Sequence, residues 1–490
     1  MKEGNDKARG LLKHNDPIVR ANAARVLGVN EDKQAYEALL DRALHDSDSR
    51  VGISAIRSLG SLKDARAVQP LVERGEYLLK LTKVSRQFLI EPRNELLEIA
   101  TALGRLLPNA DNQSALDFVK RLHQLTNGEA VEVEVAFARI APATYVASHS
   151  EDQASRTGHN WRQVSRRAQA LAAIKEVIVG AATDSAGDRV LQAARTELKE
   201  MLTQVTTPEL AIPDVLSAYA SYKPQDADEF ANKYLAMSDV FSRATAAELL
   251  GERPGEASTQ MLKMVLPHAL RDLDNDAALA ILAALAKQKN QAANDALKTA
   301  LDSKDHLIRR RAAALLKTNG VGDFSNRIGT VQTRNTEADY RRAIARIGKK
   351  PTATVVTNKG SFTIEFLTED APLNVDNFLQ LAKRGYFNGQ TIPRVVANFV
   401  VQAGDPRGDQ NGGPGYTIRC EINEVPYERA AVGMALSGKD TGGSQWFVTH
   451  SPQPHLDGGY TVFGRVIRGM DVVDRMARGD RIVRVVVNER

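Results

Sequence analysis

Cysteine is almost absent from this 490-residue chain, since Cys420 is the single example. One thiol excludes an internal disulfide and a cysteine-based metal cluster. Long apolar runs are also missing: none reaches about 18 residues, the length that crosses a membrane, so no spanning helix is expected. Residues 1–6 lack the apolar stretch of a secretory leader. On these grounds the sequence predicts a cytoplasmic protein with no membrane span.

Several kinds of catalytic machinery lack their usual residues. His450 and His455 have no cysteine or carboxylate partner at metal-ligand spacing, so no metal site is predicted. The glycine-rich loop 412–415 is not followed by the Lys-Ser/Thr pair of a phosphate-binding loop. No nucleophile–base pair accompanies the segments discussed below. We therefore expect a protein that needs neither a metal nor a cofactor.

The net charge of +5 comes mainly from one short segment. Residues 334–350 hold six basic and two acidic side chains, whereas residues 351–490 hold 15 of each sign. A basic segment can bind nucleic acid or anionic lipid. The simpler interpretation of residues 331–350 is a basic linker helix that docks against a neighbouring domain. No nucleic-acid partner is expected.

A repeated motif marks residues 1–330, which are rich in alanine and leucine. An aspartate is followed by an apolar helical stripe at intervals of about 31 to 35 residues, and a repeat of that length is typical of a solenoid. The copies begin at Asp16, Asp48, Asp239, Asp274 and Asp305. Helices are also expected in the less regular middle, at 95–106, 114–125, 164–179 and 190–202, with a polar loop at 148–160.

One copy of the motif explains the pattern physically. Asp16 can cap a helix by accepting from free N–H groups of the first turn, and Pro17 suits the first helical position. Gly28 suits the position where a helix stops. The motif resembles short HEAT-type repeats, in which helix pairs stack into a superhelix. The resemblance predicts an all-α, HEAT-like solenoid over residues 1–330, with a protein partner bound on its surface.

Before Asp16 there is room for only about one helix, which is half a repeat. Solenoids usually end in a polar capping unit. Two interpretations stay open: the lone helix is itself the cap, or the array continues upstream of this chain. In the second case an exported, periplasmic protein is the alternative to a cytoplasmic one.

From about residue 351 the apolar period changes from helical to alternating. Strands are predicted at 354–357, 362–366, 398–402, 445–449, 461–466 and 482–487, and helices at 375–383 and 470–476. Many short strands with few helices favour a closed barrel.

Two segments of this barrel, 392–402 and 442–447, hold the most informative residues. They combine one cation with two aromatic rings and two amides, namely Arg394, Phe399, Phe447, Gln402 and Gln445. Such a site can hold an amide and a small apolar ring and change how the amide is polarised, but it has little means of breaking a covalent bond. This points to catalysis of rotation about X–Pro bonds. The uncatalysed rotation takes tens to hundreds of seconds, behind a barrier of about 18–20 kcal/mol.

The order of these pieces resembles the cyclophilin family of peptidyl-prolyl isomerases over about residues 351–487. Further matching pieces are Lys359-Gly360, Gly385-Tyr386-Phe387-Asn388-Gly389, Gly404-Asp405, Glu421-Ile422-Asn423, Gly433-Met434-Ala435, Leu456-Asp457-Gly458 and Phe463-Gly464-Arg465-Val466. The resemblance implies an eight-stranded antiparallel β-barrel capped by two helices, with its groove on the outer face. It makes residues 351–490 the isomerase domain of a multidomain chain.

The resemblance also implies roles for individual residues. Arg394 matches the family's catalytic arginine, and Phe399 and Gln402 complete the catalytic set. The residues that would contact substrate are Val400, Ala435, Gln445, Phe447, His455, Leu456 and Tyr460. Three of these depart from the family's common pattern. Val400 stands where methionine is frequent, His455 where many eukaryotic members have tryptophan, and Tyr460 where they have histidine.

The sequence thus predicts a bacterial-type peptidyl-prolyl cis–trans isomerase that acts in protein folding on proline-containing polypeptide clients. Its helical repeats would form a platform for a client or partner. Two alternatives stay open: a scaffold that binds proline segments with little or no turnover, and a helical-repeat adaptor in which the isomerase is incidental.

Overall fold

The computed structural model of the chain describes residues 2–81, 93–110, 112–152, 160–178, 185–330 and 335–489. The chain divides into two compact units. The first comprises Met1–Leu62, Tyr77–Glu98 and Thr333–Arg490, and the second comprises Lys63–Glu76 and Ile99–Gln332. The domain limits drawn from the sequence stay a prediction. Among the described residues no helix is both long and apolar enough to cross a membrane.

Helices dominate the chain up to residue 344. They are α1 (Lys2–Leu11), α2 (Pro17–Val29), α3 (Tyr36–His45), α4 (Ser49–Leu62), α5 (Val68–Leu81), α6 (Arg93–Leu106), α7 (Gln113–Thr126), α8 (Val131–Ile140), α9 (Pro142–Asp152), α10 (Trp161–Ile178), α11 (Ser185–Thr203), α12 (Ile212–Ser221), α13 (Ala227–Leu235), α14 (Val240–Gly251), α15 (Glu256–Ala269), α16 (Asp276–Gln288), α17 (Gln291–Thr299), α18 (His306–Thr318) and α19 (Glu337–Ile344). The predicted helices of the irregular middle are confirmed as α6, α7, α10 and α11.

The repeat aspartates begin helices as predicted, with one exception. The side chains of four of them accept backbone N–H groups of the first turn: Asp16 from Ile18 (2.8 Å), Asp48 from Arg50 (2.9 Å), Asp239 from Ser242 (2.7 Å) and Asp305 from Leu307 (2.7 Å). Each such bond satisfies one of the N–H groups that the first turn leaves free. Asp274 does not cap α16, whose N-cap is Asn275 without a side-chain bond.

Two expectations for the helical region are wrong. Gly28 does not stop its helix, because α2 continues to Val29. A Cβ atom at Gly28 would collide with Ser58 of α4, so this glycine permits two helices to approach closely. The predicted loop at 148–160 begins too early, because α9 extends to Asp152. Residues 153–159 lie outside the described residues.

The basic linker docks by ion pairs on the C-terminal region, in the same compact unit. Arg346, two residues beyond the end of α19, donates to Asp376 (2.5 Å) and to Glu489 (2.6 Å). Arg342 also reaches Asp376, at 3.1 Å. These contacts are of the kind expected for a docked linker, and two cations of this segment, Arg342 and Arg346, are paired with carboxylates.

Residues 352–488 form one sheet of eight strands. These are β1 (Thr352–Thr357), β2 (Gly360–Phe366), β3 (Arg394–Val396), β4 (Val400–Ala403), β5 (Ala431–Met434), β6 (Trp446–Thr449), β7 (Val462–Arg468) and β8 (Ile482–Asn488). All neighbours are antiparallel, in the order β3-β4-β6-β5-β7-β2-β1-β8. A bridge between Thr391 and Arg481, which precede the edge strands β3 and β8, brings the two edges together, so the sheet curls into the predicted barrel.

The sequence did not predict β3 or β5, which have three and four residues. Neither shows enough alternation to be recognised, because β3 is too short and all of β5 is buried. Their pairing with longer neighbours makes them strands.

The barrel has an aromatic core that includes Phe362, Phe378 and Trp446. Two helices pack against this core, α20 (Pro372–Lys383) and α21 (Met470–Asp474). A second, smaller apolar cluster contains Val400, whereas the adjacent Val401 belongs to the main core. Since successive strand residues point to opposite faces, the small cluster lies on the face away from the barrel interior.

Candidate active site

The strand register aligns the central site residues in one row. Arg394 of β3 is opposite Gln402 of β4, and Gln402 is opposite Phe447 of β6. Phe447 is in turn opposite Gly433 of β5. Neighbouring side chains in such a row share one face of the sheet. The fold thus brings together residues that lie up to 53 positions apart in the sequence.

Arg394 is half-buried and has no carboxylate partner among the described residues. Its Nη1 donates to Oε1 of Gln402 at 3.0 Å, and its guanidinium carbon lies 5.6 Å from the ring centre of Phe399. Burial lowers the pKa of Arg394 below its ordinary value. An arginine stays protonated even so, and the result is a cation whose remaining donors are free for a ligand.

The two amides form a hydrogen-bonded line with Arg394. Nε2 of Gln445 donates to the carbonyl oxygens of Gln410 (2.9 Å) and Gly412 (2.8 Å). Carbonyls only accept, so Oε1 of Gln445 must face Gln402, whose Nε2 donates to it at 2.8 Å. This leaves Oε1 of Gln402 for Arg394. The direction of both amides is therefore set by the backbone of loop 405–412.

Asp405 holds that loop, a function that the sequence did not reveal. The residue is 1% exposed, and its carboxylate accepts from the backbone N–H groups of Arg407 (2.8 Å), Gln410 (2.6 Å) and Gly412 (3.0 Å). Burial raises the pKa of Asp405, although the hydrogen bonds oppose this. The Gly404-Asp405 pair was noted only as part of the family resemblance, because nothing local links it to Gln445.

The small apolar cluster lies beside Arg394, with Phe399 in contact with both. Its buried members include Val400, Phe447 and Leu456, and Phe399, Ala435 and Tyr460 pack against them partly buried. Leu456 follows β6 on a short 3-10 turn, and the amide of Ala435 donates to the carbonyl of Gln445 at 3.0 Å. An apolar ring the size of proline matches such a lining.

Tyr427 is a buried member of the small apolar cluster that the sequence analysis missed. Its ring stacks under Phe447, with centroids 5.5 Å apart at 23°. A Cβ atom at Gly433 would collide with both rings, so only glycine leaves room for this stack. Burial raises the pKa of the Tyr427 phenol, and its hydroxyl has no hydrogen-bond partner in the described part of the chain. The preceding Pro426 was the one available signal of an ordered turn.

Two residues at which the chain departs from the family pattern line the rim. His455 is exposed and stacks on Phe399, with ring centres 5.6 Å apart at 29°. Tyr460 meets Phe447 edge to face at 6.1 Å. Every residue that the sequence predicted to touch substrate therefore lies in or beside this one groove.

A buried histidine beside the groove makes stability depend on pH. His450 is 2% exposed, and burial lowers its pKa, with Arg429 and Arg50 acting in the same direction and Asp474 against it. Above a pH of about 6.5 the side chain is neutral in both the folded and the unfolded states. On acidification the unfolded chain takes up a proton that the folded chain refuses, so stability falls.

We expect the free energy of unfolding to decrease by at most about 1.4 kcal/mol for each pH unit below 6.5 on account of this group. Urea unfolding followed by the fluorescence of Trp446, in a Trp161→Phe background, measures it. His450→Gln should flatten the dependence, whereas His455→Gln, at an exposed site, should not. A dependence unchanged in His450→Gln would refute the assignment.

Known protein families match two separate parts of this chain. The family described as cyclophilin type peptidyl-prolyl cis-trans isomerase/CLD matches residues 352–489, and HEAT repeats match residues 8–76. A peptidyl-prolyl cis-trans isomerase of Helicobacter pylori is 45% identical over 144 residues, which are 29% of this chain and 88% of that protein. Peptidyl-prolyl cis-trans isomerase B of Bacillus subtilis is 50% identical over 118 residues, 24% of this chain and 82% of that protein.

A solved cyclophilin-type peptidyl-prolyl cis-trans isomerase of Cryptosporidium parvum is 28% identical, covering 29% of this chain and 99% of that one, with a TM-score of 0.28. The two bacterial relatives are matched over most of their own length at 45% and 50% identity. The chain belongs to the cyclophilin-type peptidyl-prolyl cis–trans isomerases, and it carries HEAT repeats near its N-terminus.

Proposed function

We propose that Arg394 is the catalytic residue of this isomerase and that the apolar cluster around Phe447 holds the proline ring. Rotation about an X–Pro bond removes amide resonance, so the prolyl nitrogen gains electron density as the bond twists. A guanidinium directed at that nitrogen stabilises the twisted amide more than the planar one. Only such differential binding accelerates rotation.

The oriented amide line is the single observation that carries this proposal. One donor of Arg394 is committed to Gln402, and the line through Gln445 to the loop carbonyls holds the guanidinium at the pocket edge. A donor fixed before the substrate arrives need not reorganise during the reaction. The remaining amide and backbone groups beside the pocket would grip the peptide around the proline.

Cis–trans exchange of a short Ala-Pro peptide, measured by NMR with the intact chain, tests the assignment. We expect exchange far faster than the uncatalysed rate of tens to hundreds of seconds. Binding of the peptide at the groove without faster exchange would favour the proline-binding scaffold instead.

We also propose that the helical repeats bind protein clients and present their X–Pro bonds to the groove during folding. Stacked helix pairs offer an extended surface for such binding. Tethering a client raises its effective concentration at the groove, into the millimolar range for short connections. The match to HEAT repeats at residues 8–76 supports a platform of this kind.

A comparison of the intact chain with residues 335–490 alone tests the platform. The Helicobacter pylori relative consists largely of the region matched to the barrel, which supports independent folding of the barrel. We expect the isolated barrel to catalyse exchange in a short peptide but to lose at least about tenfold more activity on proline-limited refolding of a protein client. An equal loss on both substrates would argue against a client platform.

A further inference from the structure

The residue directly before Phe399 has an unusual backbone conformation. Asn398 has a φ of +57°, in the left-handed region that glycine enters without strain and that asparagine tolerates. It is 1% exposed, and its carbonyl oxygen accepts from Oγ of Ser451 (2.8 Å) and Nε2 of Gln453 (3.0 Å). These bonds tie the backbone of the turn to the barrel.

The side chain of Asn398 makes a different connection. A glycine would satisfy the backbone of this turn, but asparagine adds an amide, and its Nδ2 donates to Oδ1 of Asn22 at 3.0 Å. Asn22 lies in helix α2, and both residues belong to the same compact unit. A helical-repeat residue thus contacts the residue directly before Phe399.

Helix α4 is linked to Phe399 by a second series of contacts. Nη1 of Arg50 lies 3.8 Å from Oδ1 of Asp474, which also accepts from Nη1 of Arg429 at 3.0 Å. That Nη1 of Arg429 donates to the carbonyl of His450 at 2.6 Å, and the amide of His450 donates to the carbonyl of Phe399 at 2.8 Å. A second helix of the repeat region is therefore linked to Phe399 indirectly, through Asp474, Arg429 and His450.

We propose that helix α2 positions the Phe399 wall of the groove, with Asn22 as a positioning residue that acts through Asn398. The turn joins two short strands, and the ring of Phe399 is only partly buried. The contact with α2 restricts where that ring can sit. A Phe399 ring that is already in position loses less conformational entropy when the proline ring binds. The contact between Asn22 and Asn398 therefore affects substrate affinity rather than rotation of the bound amide.

This inference rests on the proposed function only in taking Phe399 as a pocket wall. It makes the helical repeats part of the isomerase site even for a peptide too short to touch a client platform.

Four variants of the intact chain test it on a short Ala-Pro peptide. Asn22→Ala removes the acceptor, and Asn398→Gly removes the donor while keeping a residue that suits the turn. Each should raise KM by about two- to tenfold, the effect of one hydrogen bond, with kcat unchanged. Asn22→Asp keeps an acceptor oxygen and should retain the parent KM. The double variant Asn22→Ala/Asn398→Gly should be no worse than either single variant.

Melting curves of all four variants check that they fold. An unchanged KM in Asn22→Ala, or losses that add in the double variant, would overturn the positioning role while leaving an active parent enzyme and its assignment intact. An intact parent chain that fails to accelerate exchange would instead contradict the proposed function itself.

Discussion

Replacing Arg394 by alanine should lower kcat for a short Ala-Pro peptide by about 10²–10³-fold, the usual cost of removing one donor that acts on developing charge. The peptide should still bind, because the apolar cluster around Phe447 and Leu456 is unaffected. Its KM should therefore change little. NMR exchange spectroscopy on the intact variant gives both quantities.

Two further variants sharpen this test. Arg394→Lys keeps the charge but loses the planar fork that contacts Gln402 while facing the substrate, so an intermediate kcat is expected. Arg465 is an exposed arginine on β7, and Arg465→Ala should leave both constants near the parent values. If Arg394→Ala retained the parent kcat, the mechanism would be wrong and the groove would act mainly by binding.

The second large effect is expected at Asp405, which does not touch the pocket. In Asp405→Asn the new Nδ2 group must face a backbone N–H of loop 405–412, because the carboxylate accepts from three of them. Losing such an acceptor costs about 1–3 kcal/mol of stability. The loop carbonyls that hold Gln445 would shift, and kcat/KM should fall by about tenfold as Arg394 loses its orientation.

A double-mutant cycle separates positioning from general damage to the fold. In a Gln445→Ala background the amide line is already broken, so Asp405→Asn should cause little further loss of kcat/KM. Asp409→Asn alters the same loop at a carboxylate that pairs with the side chain of Arg407 and accepts one backbone N–H, that of Asn411 (2.9 Å). The amide oxygen of an asparagine can still accept from Asn411, so this variant should stay within about twofold of the parent. If Asp405→Asn lowered kcat/KM by the same factor in the parent and in the Gln445→Ala background, Asp405 would act independently of the amide line.

The barrel shows how far local pattern carries a prediction. Strands β1, β2, β7 and β8 are six or seven residues long, and their alternating or β-branched runs marked them correctly. The short strands β3 and β5 were missed because pairing with neighbours, rather than their own pattern, makes them strands. The site residues were predicted from the joint motif, and their convergence on one groove supports those roles without testing them.

In the helical region the sequence marked helix starts better than helix ends. Aspartate caps depend on groups within three residues, so Asp16, Asp239 and Asp305 could be recognised locally. The role of Gly28 could not, because it depends on Ser58 of another helix.

By itself the sequence determined the two kinds of architecture and the isomerase family, and it predicted residues of the groove, because periodicity and motif order are local properties of the chain. The tertiary structure decided what supports those residues. The loop at Asp405 that orients Gln445, the ring of Tyr427 beneath Phe447, and the contact from Asn22 to Asn398 all join parts of the chain between 20 and 376 residues apart. Contacts of that range arise only when the strands pair and the helices dock, so no local pattern records them.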